Sequence, residues 1–193
     1  MPDNTASFDR FIEGNPWSDE DILKLISAGD REAMAYLGWR KTHHAMIDGG
    51  DFDEDCRYGE SLLVKAASEG RLAAVASLVR LYDNIGEKEK YNTYLLKLAD
   101  MGDIPSRYKV AVRCKEAGDY GAFLKYAESC MHSKDTEVKR DAAERLKEYY
   151  IELKDYKRAL YWAKKMKSPF DGSPSQKDID EVKSLIRSQK PDR

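Results

Sequence analysis

The sequence predicts an all-α fold in which antiparallel helix pairs repeat along the chain. Glycine and proline are scarce, with 12 and 6 residues among 193, and this favours helices over many short strands because few tight turns can form. Small and branched aliphatic residues recur four positions apart, which places them on one stripe of a helix. Short turns that contain glycine separate these segments, and such turns make neighbouring helices antiparallel.

The first helix of each predicted pair is marked by a small residue four positions before a branched aliphatic residue. A third matched residue follows four positions later, so that the three side chains share one stripe. The small side chain lets a neighbouring helix approach closely, and the aliphatic side chain fills the space beside it. The matched sets are Ala33, Leu37 and Lys41; Ala74, Leu78 and Tyr82; Ser106, Val110 and Cys114; and Ala142, Leu146 and Tyr150.

The second helix of each predicted pair carries a matched alanine at the end of an apolar run. These residues are Ala67, Ala99, Ala127 and Ala163. An earlier copy of the pattern at 22–27 has Ile26 in the alanine's place. Asp30 and Asp103 are typical N-caps for the helices that follow. Glycines that end a helix in the left-handed conformation are expected at Gly29, Gly70 and Gly102.

The two ends of the chain are predicted to cap the repeats. Ser18, followed three residues later by Asp21, is typical of a helix start. A last helix is expected after the linker-like stretch 168–175, with its apolar face formed by Ile179, Val182 and Ile186. The predicted organisation is a flexible segment at 1–16, a repeat domain at 17–167, and a linker with a C-terminal capping helix at 168–193.

An acidic stretch at 48–56 begins like a calcium-binding loop, because three aspartates alternate from position 51 onward. Such a loop needs glycine at its sixth position and a bidentate glutamate at its twelfth, where this chain has Cys56 and Leu62. The stretch also lies in an insertion of 13 residues relative to the shortest copies of the repeat. We therefore predict a solvated acidic loop that binds no metal ion.

Residues 28–70 resemble a Sel-one-like repeat, a relative of the tetratricopeptide repeat. The features that carry this resemblance are Gly29, Ala33, Leu37, Gly38, Gly50, Lys65, Ala66, Ala67 and Gly70. Residues 155–166 resemble a plain tetratricopeptide unit at Tyr156, Ala159, Leu160 and Ala163. The later copies depart from the first, since Gly38 is matched there by Val79, Ala111 and Lys147. The resemblance covers about residues 17–167 and implies a right-handed α-α superhelix of about four antiparallel helix pairs with terminal capping helices.

The concave face of such an array is lined by the first helix of each pair and commonly holds a peptide or another protein. The resemblance therefore implies a partner-binding site formed by Glu32, Trp39, His43, Arg80, Asn84, Tyr108, Lys115 and Glu148. Trp39 and Tyr108 would be its aromatic anchors, the residue type that dominates binding energy at interfaces. The alternative for Trp39 is that it packs on an N-terminal helix.

No pattern of catalytic or metal-binding residues in the sequence indicates an enzyme. His43 and His44 are adjacent, so they point to different sides of a helix and cannot bind one ion as an i, i+4 pair. His132 lies in another repeat, and the three cysteines have no CxxC spacing. Glycine-rich phosphate loops, nucleophile elbows and the HExxH motif are absent from the sequence. We therefore expect a non-catalytic protein without a cofactor or a metal ion.

Nucleic-acid binding by the C-terminal half is the alternative to protein binding. Residues 1–60 carry a net charge of −8 and residues 61–193 one of +6. The segment 139–167 has ten Lys and Arg residues against five acids, with five aromatic residues between them, a composition that can bind single strands. The pI near 6.0 argues against a dedicated nucleic-acid binder. Three of the aromatic residues are also better explained as core between helix pairs, namely Tyr150, Tyr156 and Trp162.

The sequence as a whole favours a cytoplasmic adaptor that binds a protein partner. Its N-terminus lacks the positive start and the apolar run of a secretory signal, and no segment approaches the roughly 18 apolar residues of a membrane span. Three cysteines, an odd number without CxxC spacing, are typical of free thiols in a reducing compartment. A narrower hypothesis is an immunity-type or chaperone-type protein that holds a toxin or effector in check.

Overall fold

The structure, a computed structural model, describes residues 8–12, 17–47, 52–167 and 172–188. Within these ranges the regular secondary structure is helical, and the one strand-like feature is an isolated antiparallel bridge between Lys167 and Pro174, so the all-α prediction is confirmed. None of the helices described here has the length and apolar character needed to span a bilayer. The helices are α1 (Asp9–Ile12), α2 (Asp19–Ser27), α3 (Arg31–Ile47), α4 (Glu54–Ser68), α5 (Leu72–Asn84), α6 (Lys88–Asp100), α7 (Ile104–Glu116), α8 (Tyr120–Cys130), α9 (Thr136–Glu152), α10 (Tyr156–Lys165) and α11 (Gln176–Ser188).

The helices form two compact units, Met1–Met101 and Gly102–Arg193. In the first unit, α2 packs on α3, α3 on α4, and α5 on α6, while α5 also contacts both helices of the preceding pair. In the second unit, α7 packs on α8 and α9 on α10, while α9 contacts both α7 and α8, and α11 packs on α10. Each unit therefore contains two sequential helix pairs, in which the first helix of the later pair contacts both helices of the earlier one, together with terminal helices outside these pairs.

The predicted stripe of small and aliphatic residues forms the core of both units. Its first two positions in each pair and the matched alanine of each second helix are all buried, at 7% exposure or less: Ala33, Leu37, Ala67, Ala74, Leu78, Ala99, Ser106, Val110, Ala127, Ala142, Leu146 and Ala163. Alanines at these positions permit close helix approach, and each fully buried Leu or Val contributes about 2 kcal/mol of hydrophobic stabilisation. In the earlier copy Ile26 is only half-buried, and Ile22, one turn before it, is the fully buried residue.

The third position of the stripe lies at the edge of the core. Tyr82 and Tyr150 are buried there, and Lys41 and Cys114 are half-buried. The hydroxyl of Tyr82 donates to the Glu60 carboxylate over 2.5 Å, so the buried phenol has its polar partner. The ammonium group of Lys41 lies 2.9 Å from the carboxylate of Asp55. Tyr82 and Lys41 are tolerated at this position because each has a carboxylate partner at the boundary of the core.

The predicted helix starts and ends are confirmed. The hydroxyl of Ser18 accepts a hydrogen bond from the backbone amide of Asp21 over 3.1 Å and caps α2. Asp30 and Asp103 accept backbone amide hydrogen bonds at the starts of α3 and α7. The expected helix-ending glycines have positive φ: Gly29, Gly70 and Gly102.

The acidic stretch 48–56 differs from the predicted loop over the part that the structure describes. Asp53 is the N-cap of α4, where its carboxylate accepts the backbone amide of Cys56 over 2.8 Å. The next two acids belong to the first turn of α4, where negative charge is favourable against the helix dipole. Residues 48–51 lie outside the described residues. Over 53–56, therefore, the predicted loop is wrong, because the acids serve to start a helix.

The turns between α5 and α6, α7 and α8, and α9 and α10 each place one residue in the left-handed region. Gly86 (φ 76°) and Gly118 (φ 77°) fill this position in the first two turns, but Lys154 (φ 57°) fills it in the third. A side chain with a Cβ atom costs roughly 1–2 kcal/mol in this conformation, whereas glycine adopts it without steric penalty.

Replacing Lys154 with glycine is expected to stabilise the protein by about 0.5–1 kcal/mol. The relief of the left-handed conformation outweighs the larger backbone entropy that glycine has in the unfolded chain. Thermal unfolding followed by circular dichroism should show a melting temperature about 1–4 °C higher. The matched control is Lys157→Gly in α10, which should lose about 1 kcal/mol. Equal destabilisation by both variants would contradict the prediction.

The backbones of α3 and α4 come into direct contact at two glycines. A Cβ atom added to Gly38 would lie 2.8 Å from Cγ of Leu63 and 2.9 Å from the carbonyl oxygen of Gly59. One added to Gly59 would lie 2.7 Å from Cβ of Lys41 and 2.8 Å from the carbonyl oxygen of Gly38. The crossing of these two helices therefore requires that both positions lack a side chain.

Candidate binding surfaces

All eight predicted partner-binding residues lie on first helices of the helix pairs, and none is fully buried. In the first unit, α3 carries Glu32, Trp39 and His43, and α5 carries Arg80 and Asn84. In the second unit, α7 carries Tyr108 and Lys115, and α9 carries Glu148.

Trp39 lies in an aromatic cluster with one residue that precedes α1 and two other residues of α3. Its ring centroid lies 5.5 Å from that of Phe8, 5.8 Å from that of Tyr36 and 4.7 Å from that of His43. Phe11, in α1, is stacked on Tyr36 at 4.7 Å. Phe8 and Phe11 are buried although they belong to the segment 1–16 that was predicted to be flexible. Trp39 and His43 thus remain half-exposed, but one side of Trp39 is used for packing within the chain.

The other predicted residues of the first unit carry charge or amide groups. The carboxylate of Glu32 lies 3.7 Å from the guanidinium of Arg10, which also pairs with Asp30 at 2.7 Å. Arg80 and Asn84 are exposed and lie one turn apart on α5. The opposite side of α5 carries the buried stripe, so these two side chains face solvent on the outer side of the same helix.

The three predicted residues of the second unit belong to one polar network on α7 and α9. Arg145 hydrogen-bonds the hydroxyl of Tyr108, which raises the pKa of Arg145 above its ordinary value, and its guanidinium lies 3.5 Å from Glu148. Lys115 lies 4.0 Å from Glu148 and 3.1 Å from Glu152. The structure therefore brings Tyr108, Lys115 and Glu148 together. Arg145 and Glu152, which the sequence analysis missed, lie at i−3 and i+4 from Glu148, a spacing that identifies neighbours on one helical face.

A cavity of about 650 Å³ lies in the basic C-terminal segment. It is lined by Glu128, Met131, His132, Thr136, Lys139, Arg140, Tyr161, Trp162, Lys165 and Lys167. Tyr150, Tyr156 and Trp162 are predicted from the sequence to fill the core between helix pairs. Tyr150 and Trp162 are buried, as this prediction requires, while Tyr156 is half-buried and Tyr161 is 53% exposed. Sequence periodicity could not reveal this cavity because three different helices contribute its walls.

The cysteines are free and poorly suited to nucleophilic chemistry. Burial raises the pKa of Cys56 and of Cys130 to about 11, and it also raises the pKa of the half-buried Cys114 above its ordinary value. Thiols in such surroundings stay protonated at neutral pH. In the described ranges no group of three or more His, Cys, Asp or Glu side chains is arranged to hold a metal ion.

Comparison with other proteins gives no relative from which a function could be transferred. No protein-family model, no curated protein and no solved structure matches the chain. Its function must therefore be inferred from its own residues.

Proposed function

We propose that the chain is a non-catalytic, cytoplasmic adaptor of the Sel-one-like or tetratricopeptide-like kind. In this proposal its helix pairs form a right-handed superhelix, and the first helices bind a partner protein or peptide. The observation that supports it is the two-sided character of α5. Leu78 and Tyr82 of this helix are buried in the first unit, whereas Arg80 and Asn84 are exposed on it. A helix with one buried stripe and one exposed polar side can present that side to a partner.

The second unit offers a surface of similar kind. Its network joins Tyr108 to two cations and two carboxylates on α7 and α9. Charges held in fixed positions by one another give specificity toward a partner with a complementary pattern, and a tyrosine beside them supplies apolar contact area. An immunity-type or chaperone-type protein, which holds one toxin or effector, is the narrower form of this proposal.

Affinity capture from the native source with tagged variants tests the adaptor proposal. A protein that co-purifies with the wild-type chain should be lost with Arg80→Glu, with at least about tenfold weaker binding. The matched control is Lys88→Glu, which changes an exposed cation at the start of the second helix α6. Tyr108→Ala should weaken capture in the same way if the second unit contributes. Recovery of oligonucleotide and no protein at moderate salt, or equal capture by both charge-reversal variants, would show that the adaptor proposal is wrong.

A second candidate, nucleic-acid binding by the C-terminal half, is favoured by one observation. The exposed ring of Tyr161 lies beside four cationic side chains in the walls of one cavity. Salt distinguishes the two functions, because binding to a phosphate backbone falls by orders of magnitude over a few-fold rise in salt. Binding to a protein through an aromatic anchor depends less strongly on salt.

A further inference from the structure

The 650 Å³ cavity of the second unit lies where three helices meet. The last turn of α8 and the turn after it supply Glu128, Met131 and His132, the start of α9 supplies Thr136, Lys139 and Arg140, and the end of α10 supplies Tyr161, Trp162 and Lys165. This volume falls within the range of small-molecule sites, roughly 300–1,000 Å³. The cavity contains none of the eight predicted partner-binding residues, so its occupant is a separate question from the adaptor's partner.

The charge of the cavity wall favours an anion. Lys139, Arg140, Lys165 and Lys167 line it, against the single carboxylate of Glu128. Arg140 lies 3.4 Å from the neighbouring Asp141, a weak and partly exposed pair. Across the part of the chain that the structure describes, no carboxylate lies within ion-pair distance of the other three cations. Cations gathered on one concave wall without carboxylate partners attract an anionic ligand.

The aromatic part of the wall favours a planar group beside that anion. Tyr161 is 53% exposed, and its ring is held at 5.0 Å and 81° against Trp162, which is 9% exposed. The ammonium group of Lys165 lies 5.4 Å from the centroid of the Tyr161 ring. An exposed, fixed tyrosine ring next to cations is the arrangement on which nucleic-acid bases stack.

We propose that this cavity binds a nucleotide, with the base stacked on Tyr161 and the phosphate held by Lys139, Lys165 and their cationic neighbours. A nucleotide supplies a ring and a dianion within one compact unit. An acidic peptide would bring its carboxylates against Glu128 and be repelled there, whereas the Glu128 carboxylate can accept hydrogen bonds from the exocyclic amino group of a base. The nucleotide is either a free mononucleotide or one residue of a single strand.

Calorimetric titration of the full chain tests the proposal with four probes: adenosine monophosphate, inorganic phosphate, phosphotyrosine and a single-stranded ten-residue oligonucleotide. Adenosine monophosphate should bind at least tenfold more tightly than phosphate. Tyr161→Ala should weaken its binding about tenfold, and Tyr161→Phe should retain it because the ring remains. Lys165→Glu should weaken binding at least tenfold. The matched control is Lys164→Glu, which changes the neighbouring exposed lysine on the same helix outside the cavity and should change binding less than threefold.

The probes also separate the sources of the nucleotide. An oligonucleotide that binds at least tenfold more tightly than the monophosphate, and loses this advantage with Lys165→Glu, identifies a strand as the ligand. Equal affinity for the two identifies a free mononucleotide. The proposal is overturned if none of the probes binds, if phosphate binds as tightly as adenosine monophosphate, or if Tyr161→Ala leaves binding unchanged. Tighter binding of phosphotyrosine than of adenosine monophosphate also overturns it, because a phosphopeptide is then the ligand. Capture of a protein that depends on Arg80 is unaffected by any of these outcomes.

Discussion

Gly59→Ala is expected to lower the free energy of unfolding by about 2–3 kcal/mol. The added Cβ would lie 2.7 Å from Cβ of Lys41 and 2.8 Å from the carbonyl oxygen of Gly38. Neither atom is the end of a flexible side chain, so α3 and α4 must move apart, and their buried stripes lose contact. Overpacking typically costs about 1–3 kcal/mol, and occasionally more, as is expected here because a backbone carbonyl is in the way. The better helix propensity of alanine regains only about 1 kcal/mol of this cost.

Urea denaturation followed by circular dichroism measures this loss as a lower midpoint. The matched control is Gly121→Ala in α8, where the nearest heavy atom to the added Cβ is Oδ1 of Asp119 at 3.6 Å. That control gains helix propensity without a clash and should be neutral or stabilising by up to about 1 kcal/mol. Similar midpoints for the two variants would show that α3 and α4 do not cross as closely as the structure has them.

The two glycines at this crossing show what a repeat pattern can and cannot predict. Gly38 follows Leu37 on α3 and was part of the resemblance to a Sel-one-like repeat, so the sequence analysis already marked it. Gly59 lies four residues before Leu63 on the buried face of α4, but the periodicity that places it on this face does not show that the position must lack a side chain. Its role depends on which residue of α3 lies opposite, and such pairing is a property of tertiary packing.

The other predictions show the same difference between what a local sequence pattern determines and what tertiary packing determines. Stripe residues such as Ala74 and Leu78 are predictable because helix geometry alone puts residues four apart on one face. Caps such as Ser18 are predictable because the side chain satisfies a backbone group only two or three residues away. The acids at 53–55 were assigned to a loop because a run of acids is typical both of solvated loops and of first helical turns. A cap assignment at Asp53 would have resolved this ambiguity.

The candidate surfaces depend on tertiary contacts and were predicted less completely. Tyr108, Lys115 and Glu148 were chosen from the resemblance, and their network became visible only when α7 and α9 were placed side by side. The cavity beside Tyr161 needs α8, α9 and α10 together. Its cations were counted in the basic segment 139–167, but the sequence could not distinguish which of them share one wall.

Lys147→Met is expected to destabilise the second unit by about 2–3 kcal/mol. Lys147 is 5% exposed on α9, and its ammonium group lies 2.5 Å from the carboxylate of Asp178 and 3.1 Å from that of Glu181, both on α11. Removing one partner of a buried pair leaves an unpaired charge and typically costs about 3–5 kcal/mol. The expected loss is smaller because Asp178 and Glu181 keep some contact with water.

Urea denaturation of single and double variants tests whether the loss of stability comes from the broken ion pair. Lys147→Met with Asp178→Asn removes both charges and should recover more than half of the loss caused by Lys147→Met alone. The matched control is Lys139→Met, a half-buried lysine of the same helix that forms no ion pair within the described residues, and its free energy of unfolding should change by less than about 0.5 kcal/mol. A double variant that is as unstable as the sum of its two single variants would contradict the pairing of Lys147 with Asp178.

The pH dependence of stability gives a second measure of the same contact. Burial raises the pKa of Asp178, but the hydrogen bonds from Lys147 and Ser175 and the charge of Lys147 outweigh it, so the pKa lies below its ordinary value. A lowered carboxylate pKa stabilises the folded state above the ordinary pKa, about 4, and this stabilisation is lost as the pH falls below that value. Burial likewise lowers the pKa of Lys147, but its two carboxylate partners raise it on balance, so its contribution is present below about pH 10 and is lost at higher pH. The difference in unfolding free energy between the wild type and Lys147→Met should therefore be largest between about pH 5 and 9 and shrink at both extremes. A difference that stays constant from pH 7 to pH 3 would mean that Lys147 stabilises α11 by packing its methylene groups, with no contribution from the ion pair.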